Sequence, residues 1–104
     1  RQIGEIDLAL QAAQALLLDV AGLWTGDARS KGLYARIAAA KHLATETANS
    51  VTDKALQIAG GTSLTRDLPL ERYFRDTRAG LMQPPSGDTA LEIVGRGAID
   101  SLKD

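Results

Sequence analysis

LYARIAAAKHLATETANSVTDKALQIAGG, residues 33–61, is the stretch that decides the fold. Leu33, Ile37, Ala40, Ala44, Ala48, Val51, Ala55 and Ala59 recur every three or four residues, the spacing of one face of an α-helix. The many alanines favour helix intrinsically and let a second helix come close. Asp53 and Lys54 fall on another, solvated side. Gly60-Gly61 closes the run, because glycine accepts the backbone conformation that ends a helix. Gln57 lies about one turn earlier, so its amide sits near the same end. By spacing alone this is a helix terminus with a solvated glutamine. The paired glycines also let another backbone or a flat ligand approach.

Working outward, Ile3, Ile6, Leu10, Ala13, Leu17, Val20 and Trp24 step by three and four, and Leu8, Leu16 and Leu23 widen that stripe. This predicts a first helix over residues 2–24 with a broad apolar face, as a bundle helix needs. Trp24 belongs to a core or an interface. Residues 25–32 carry Gly26, Asp27, Ser30 and Gly32 and read as a loop, as do residues 62–68. Pro69 suits the first position of a short helix over 69–79, with Glu71 favourable near its start and Gly80 ending it. Pro85 forces Pro84 out of the helical region. Ser86 or Asp88 then caps a last helix, with Ala90, Leu91, Val94, Ala98, Ile99 and Leu102 facing inward. No strand pattern and no internal repeat is visible. The expected architecture is an all-α, up-down bundle of three long helices and one short one.

A chain of 104 residues makes one domain, residues 1–104. Its net charge of −1 gives no basic excess for a nucleic-acid partner. Having no cysteine, the chain forms no disulfide and no Cys-based metal site. A single histidine, His42, makes no His-based one, and reads as a packed or partly exposed helix residue. No apolar run approaches ~18 residues without charge, so no membrane span is expected, and there is no signal peptide. These absences point to the cytoplasm. The first residue is not Met and already lies in a helical pattern. That suggests a fragment of a longer protein, with a processed or truncated start as alternatives.

Ala55-Leu56-Gln57-Ile58-Ala59-Gly60-Gly61, then Leu70-Glu71-Arg72-Tyr73-Phe74-Arg75-Asp76, then a final helix, resembles the C-terminal helical domain of the acyl-CoA dehydrogenase superfamily of flavoproteins. The resemblance covers roughly residues 3–99 and is most specific from Ala39 to Arg78. It implies that the full protein binds flavin adenine dinucleotide (FAD) and oxidises an acyl-CoA thioester. It also implies that Gln57, Gly60 and Gly61 bind the cofactor across a subunit interface, in a homodimer or homotetramer. Arg72, Arg75, Asp76 and Arg78 are expected to form a mainly architectural salt-bridge network, although Arg72 could still approach an anionic ligand.

The chain departs from the family in the loop before the last helix. Many members carry Tyr-Glu-Gly-Thr-x-Gln there, and the Glu removes the substrate's α-proton. Counting on from Arg75-Asp76, that Glu falls on Pro84, the Thr on Ser86 and the Gln on Asp88. Proline has no ionisable group and cannot be a general base. No catalytic residue is therefore assigned here. Ser86 keeps a hydroxyl for a phosphate, whereas Asp88 would repel one. Three readings stay open: a dehydrogenase with its base elsewhere, a flavin-dependent monooxygenase of the same superfamily, and a non-catalytic helical interaction module or subunit. The enzyme readings require Gln57, Gly61 and Ser86 to converge on one concave surface. The module reading requires a closed, self-sufficient core.

Overall fold

The computed structural model describes residues 1–24, 32–60, 69–82 and 86–103. Residues 25–31 of the expected loop 25–32, the expected loop at 62–68, Gly61 and Pro84 lie outside the described residues. Four helices run in order: α1 (Gln2–Leu23), α2 (Leu33–Ala59), α3 (Leu70–Arg78) and α4 (Gly87–Ser101), with a 3-10 turn (Ala79–Met82) after α3. The described residues contain no strand, and the all-α expectation holds.

Helix α2 is the centre of the bundle and packs against α1, α3 and α4. Two faces of α2, roughly opposite by the 100° advance per residue, do this work. One meets α1: Arg36 pairs with Asp19, and Lys54, expected on a solvated side, is half-buried and lies 3.8 Å from Glu5, whereas Asp53 is exposed as expected. Those pairs set the start of α1 beside the end of α2, so the two helices are antiparallel. The other face carries Ala35, Ala38, His42, Thr45, Asn49 and Thr52, again at helical spacing. Its first half receives α4, with Gly97 over Ala35 and Gly87 over His42. Its second half receives the 3-10 turn and α3, with Gly80 over Thr45 and Thr77 beside Asn49 and Thr52. The periodicity of the apolar residues shows only the first of these faces, because the second is small and polar.

Thr77 lies in the last turn of α3, and its carbonyl accepts from the Ala79 N–H. The Asn49 amide donates to the Thr77 carbonyl at 2.9 Å and to the Thr45 carbonyl at 2.8 Å. This amide pins α3 to α2. Gly80 does not end a helix, as its sequence position suggests; the chain continues through it in the 3-10 turn. A Cβ there would meet Thr45 Cγ2 at 2.9 Å, so the glycine serves close approach.

The core is thin. Val20, Leu33, Ala38, Ala40 and Ala90 are its buried apolar residues among those described, and no large side chain is fully enclosed. Of the expected α1 stripe, Ile6, Ala13, Leu16 and Val20 turn inward, whereas Ile3, Leu8, Leu10, Leu17, Leu23 and Trp24 are exposed. On α4, Ala90 and Val94 face inward as expected, but Leu91, Ala98, Ile99 and Leu102 face outward. The periodicity was right about helix and wrong about side, since α1 and α4 are apolar beyond what one neighbour covers. Helix α1 is long and apolar enough to cross a membrane by length and composition alone. Its Glu5 and Asp19 are nevertheless tied to α2, so its apolarity reads as surface for protein packing.

The α1–α2 ion pairs are half exposed and contribute little. Arg36→Ala is expected to cost under about 1 kcal/mol, with a smaller loss in high salt. Thermal unfolding at two ionic strengths checks this; a salt-independent loss above that size would mean the stem of Arg36 packs as well.

Candidate functional site

Gln57 and Gly60 lie at the end of α2, and both are exposed. Gln57 Nε2 donates to Asp53 Oδ2 at 3.2 Å, one turn back. Gly60 caps the helix through its N–H to the Leu56 carbonyl, with φ 65 and ψ −142. That conformation is essentially confined to glycine, so the backbone is bare where the chain leaves the helix. The expected glycine terminator is present, and Gly61 lies outside the described residues.

Ser86 and Asp88 lie at the start of α4, both exposed. Ser86 is the N-cap residue, as expected of it or Asp88, but its side chain makes no capping bond. Its hydroxyl donates instead to Thr89 Oγ1 at 3.3 Å. The first-turn amides of α4 have no intrahelical acceptor, so they and the hydroxyl are donors available to an anion. Asp88 places a carboxylate in the same turn. The ring of half-buried His42 underlies this turn, 3.5 Å from where a Gly87 Cβ would be.

These two places do not converge within one chain. Between His42 and Gln57, α2 rises about 22 Å. The single concave surface expected for Gln57 and Ser86 is therefore absent, because α4 docks on the first half of α2. The closed core expected of a free-standing module is absent too, because α1 and α4 are bare on their outer sides.

Among the α3 arginines, Arg72 lies over the Tyr73 ring at 5.4 Å and Arg78 over the Phe74 ring at 4.3 Å. These are cation–π contacts, each worth about 0.5–1 kcal/mol at exposed positions, and they hold two of the expected architectural arginines against aromatic rings of the same helix. A groove of about 620 Å³ between the start of α2 and α4 is lined by Tyr34, Ala35, Glu92, Arg96 and Gly97, and includes none of the candidate cofactor-binding residues. The residue missed entirely is Asn49, buried and amide-bearing. Its signal was a polar side chain in register with Ala35, Ala38, His42, Thr45 and Thr52 on one helical stripe.

Residues 1–82 match the acyl-CoA dehydrogenase C-terminal domain family. The chain belongs to that family. Similar proteins include YdbM of Bacillus subtilis (strain 168), which carries a provisional acyl-CoA dehydrogenase name. It is 41% identical over 97% of this chain and 26% of its own length. A 3-sulfinopropanoyl-CoA desulfinase of Cupriavidus necator is 40% identical over 93% of this chain and 24% of its own length. An L-evernosamine nitrososynthase of a Micromonospora strain is 33% identical over 95% of this chain and 23% of its own length. The chain thus spans about a quarter of the length of these relatives. The names of these family members cover three different reactions, so the shared helical domain does not by itself select one.

Proposed function

We propose that this chain is the C-terminal helical domain of an FAD-dependent, acyl-CoA dehydrogenase-like oxidoreductase acting in the cytoplasm. In the full-length oligomer it contributes to the cofactor cradle and to subunit contacts. The observation that carries the reading is the end of α2: a family-matched chain that exposes Gln57 beside a glycine whose backbone conformation few other residues adopt. The bare outer faces of α1 and α4 support a chain that packs against further protein.

The residues fit the cofactor unequally. The Gln57 amide has hydrogen-bonding capacity beyond its single contact with Asp53. The Ser86 hydroxyl and the first-turn amides of α4 suit a phosphate oxygen, and Asp88 opposes one. When bound, FAD supplies two-electron oxidation of the acyl thioester. Within this reading, Gln57 and Gly60 serve the cofactor of a neighbouring subunit, and Ser86 serves the chain's own. That division suits the separation of the two places along α2. Pro84 supplies no base, so α-proton removal falls to a residue outside this chain.

The test is flavin content of the longest natural form. Gln57→Ala removes one hydrogen-bonding partner, worth about 1–3 kcal/mol, and is expected to weaken flavin retention about 5- to 150-fold. Asp88→Asn removes a like charge and is expected to strengthen retention. Bleaching of the bound flavin by acyl-CoA without oxygen supports the dehydrogenase. The monooxygenase reading rests on Pro84 standing at the position of the base. It is supported if the flavin ignores acyl-CoA and, once reduced, consumes oxygen. A protein that binds no flavin overturns both.

A further inference from the structure

We propose that the end of α2 meets the hydrogen-bond donors of the cofactor, its hydroxyl or amino groups, rather than its phosphates, and that Asp53 is the positioning residue that sets this polarity. An amide side chain offers a donating NH2 and an accepting oxygen. Gln57 Nε2 donates to Asp53 Oδ2 at 3.2 Å, and both side chains are exposed. An ionised carboxyl only accepts, so it draws the NH2 back along the helix. Oε1 is then the atom held away from Asp53 and offered to a ligand.

The backbone at the same place has the same polarity. The Gly60 N–H is taken by the Leu56 carbonyl. The closing carbonyls of a helix lack intrahelical partners and form the negative end of its dipole. No basic residue stands in the last turn of α2. Lys54 does not serve here either, because its ammonium lies 3.8 Å from Glu5 on the side toward α1. A phosphate at this end would meet a carboxylate, a negative helix end and an amide oxygen. A hydroxyl or amine would find acceptors. The start of α4 has the opposite polarity, with the Ser86 hydroxyl and the first-turn amides as donors. The two places therefore divide the cofactor by chemistry, phosphate oxygens at the start of α4 and donors at the end of α2. The inference deepens the cofactor reading of the proposed function and rests on it.

FAD titration of the longest natural form, stripped of flavin, tests it. High salt screens the charge of distant phosphates. Asp53→Lys reverses the polarity, because the introduced ammonium takes Gln57 Oε1 and turns the NH2 outward. It is expected to weaken FAD binding about 10-fold. Unchanged or tighter binding overturns the inference, since a phosphate would gain from the lysine. Gln57→Glu keeps an acceptor but sets it against Asp53, and is expected to weaken binding about 5-fold. Adding Asp53→Asn supplies an NH2 to hold that acceptor, at the parent's net charge, and is expected to restore binding to within about 2-fold. A double variant that binds no better than Gln57→Ala overturns the inference, because the amide N–H is then what the cofactor needs. Both positions are exposed, so apparent Tm stays near the parent's in every variant. Gln57→Ala separates the two levels. If it weakens binding while Asp53→Lys tightens it, the cofactor reading stands and the inference alone fails. If it changes nothing, the end of α2 is no part of the cradle and both fail.

Discussion

Asn49→Asp is expected to destabilise the α2–α3 contact by about 3–5 kcal/mol at neutral pH, the scale set by a buried charge without a partner. Asn49 is 6% exposed. Its Nδ2 sits between two carbonyl oxygens, and its Oδ1 has no hydrogen-bond partner. Two acceptors require a donor between them, which fixes the amide orientation. An ionised carboxyl there has only lone pairs to offer. It loses both bonds and repels the Thr45 and Thr77 oxygens. The Thr77 carbonyl, at the end of α3, keeps only the bond it accepts from the Ala79 N–H.

The same substitution carries a pH signature. Burial and facing carbonyls disfavour the charged form, so the introduced carboxyl has a folded-state pKa above its unfolded value of about 3.9. Below that unfolded value it is protonated in both states and can donate to one carbonyl. As pH rises through the folded-state pKa, ionisation must be forced or the contact must open, and stability falls. The variant should therefore approach the parent in apparent Tm as pH drops from about 7.5 to about 4.5. Asn49→Leu, which cannot ionise, should show a constant deficit. A variant whose deficit does not change with pH would mean that the side chain swings to solvent and that Asn49 does not pin α3.

Asn49 also shows where sequence reasoning stops. The apolar repeat from Leu33 to Ala59 makes α2 a helix, and Gly60 takes the positive φ that ends it. Both are local, so both are legible. That repeat marks the face toward α1 and is silent about Ala35, His42, Thr45, Asn49 and Thr52, because polarity alternation cannot distinguish a solvated face from one packed through small and hydrogen-bonded residues. The same limit explains α4. Leu91, Ile99 and Leu102 are apolar at helical spacing, and nothing in the spacing says whether the chain or another protein covers them. The separation of Gln57 from Ser86 depends on which half of α2 receives α4. Gly87 and Gly97 decide that by whom they touch, which is tertiary information.

Gly97→Val is the second large effect, and it links that docking to the proposed site. A Cβ at residue 97 would lie 2.5 Å from Ala35 Cβ. The obstacle is a methyl carbon fixed to the α2 backbone, so α2 and α4 must move apart. Overpacking of this kind costs about 1–3 kcal/mol. Relief from glycine's poor helix propensity, at most about 1 kcal/mol, offsets part of it. Gly95→Ala isolates that second term, because a Cβ there meets nothing, and is expected to raise stability. The two glycines, one half-turn apart, should therefore move apparent Tm in opposite directions. A displaced α4 also carries Ser86 and Gly87 away from His42, so Gly97→Val should lose flavin faster than Gly95→Ala. The decisive variant is Ala35→Gly in the Gly97→Ala background. Removing the facing methyl should restore most of the stability that Gly97→Ala loses, a coupling that two independent sites would not show. Strict additivity of the two changes would mean that Ala35 is not what Gly97 makes room for.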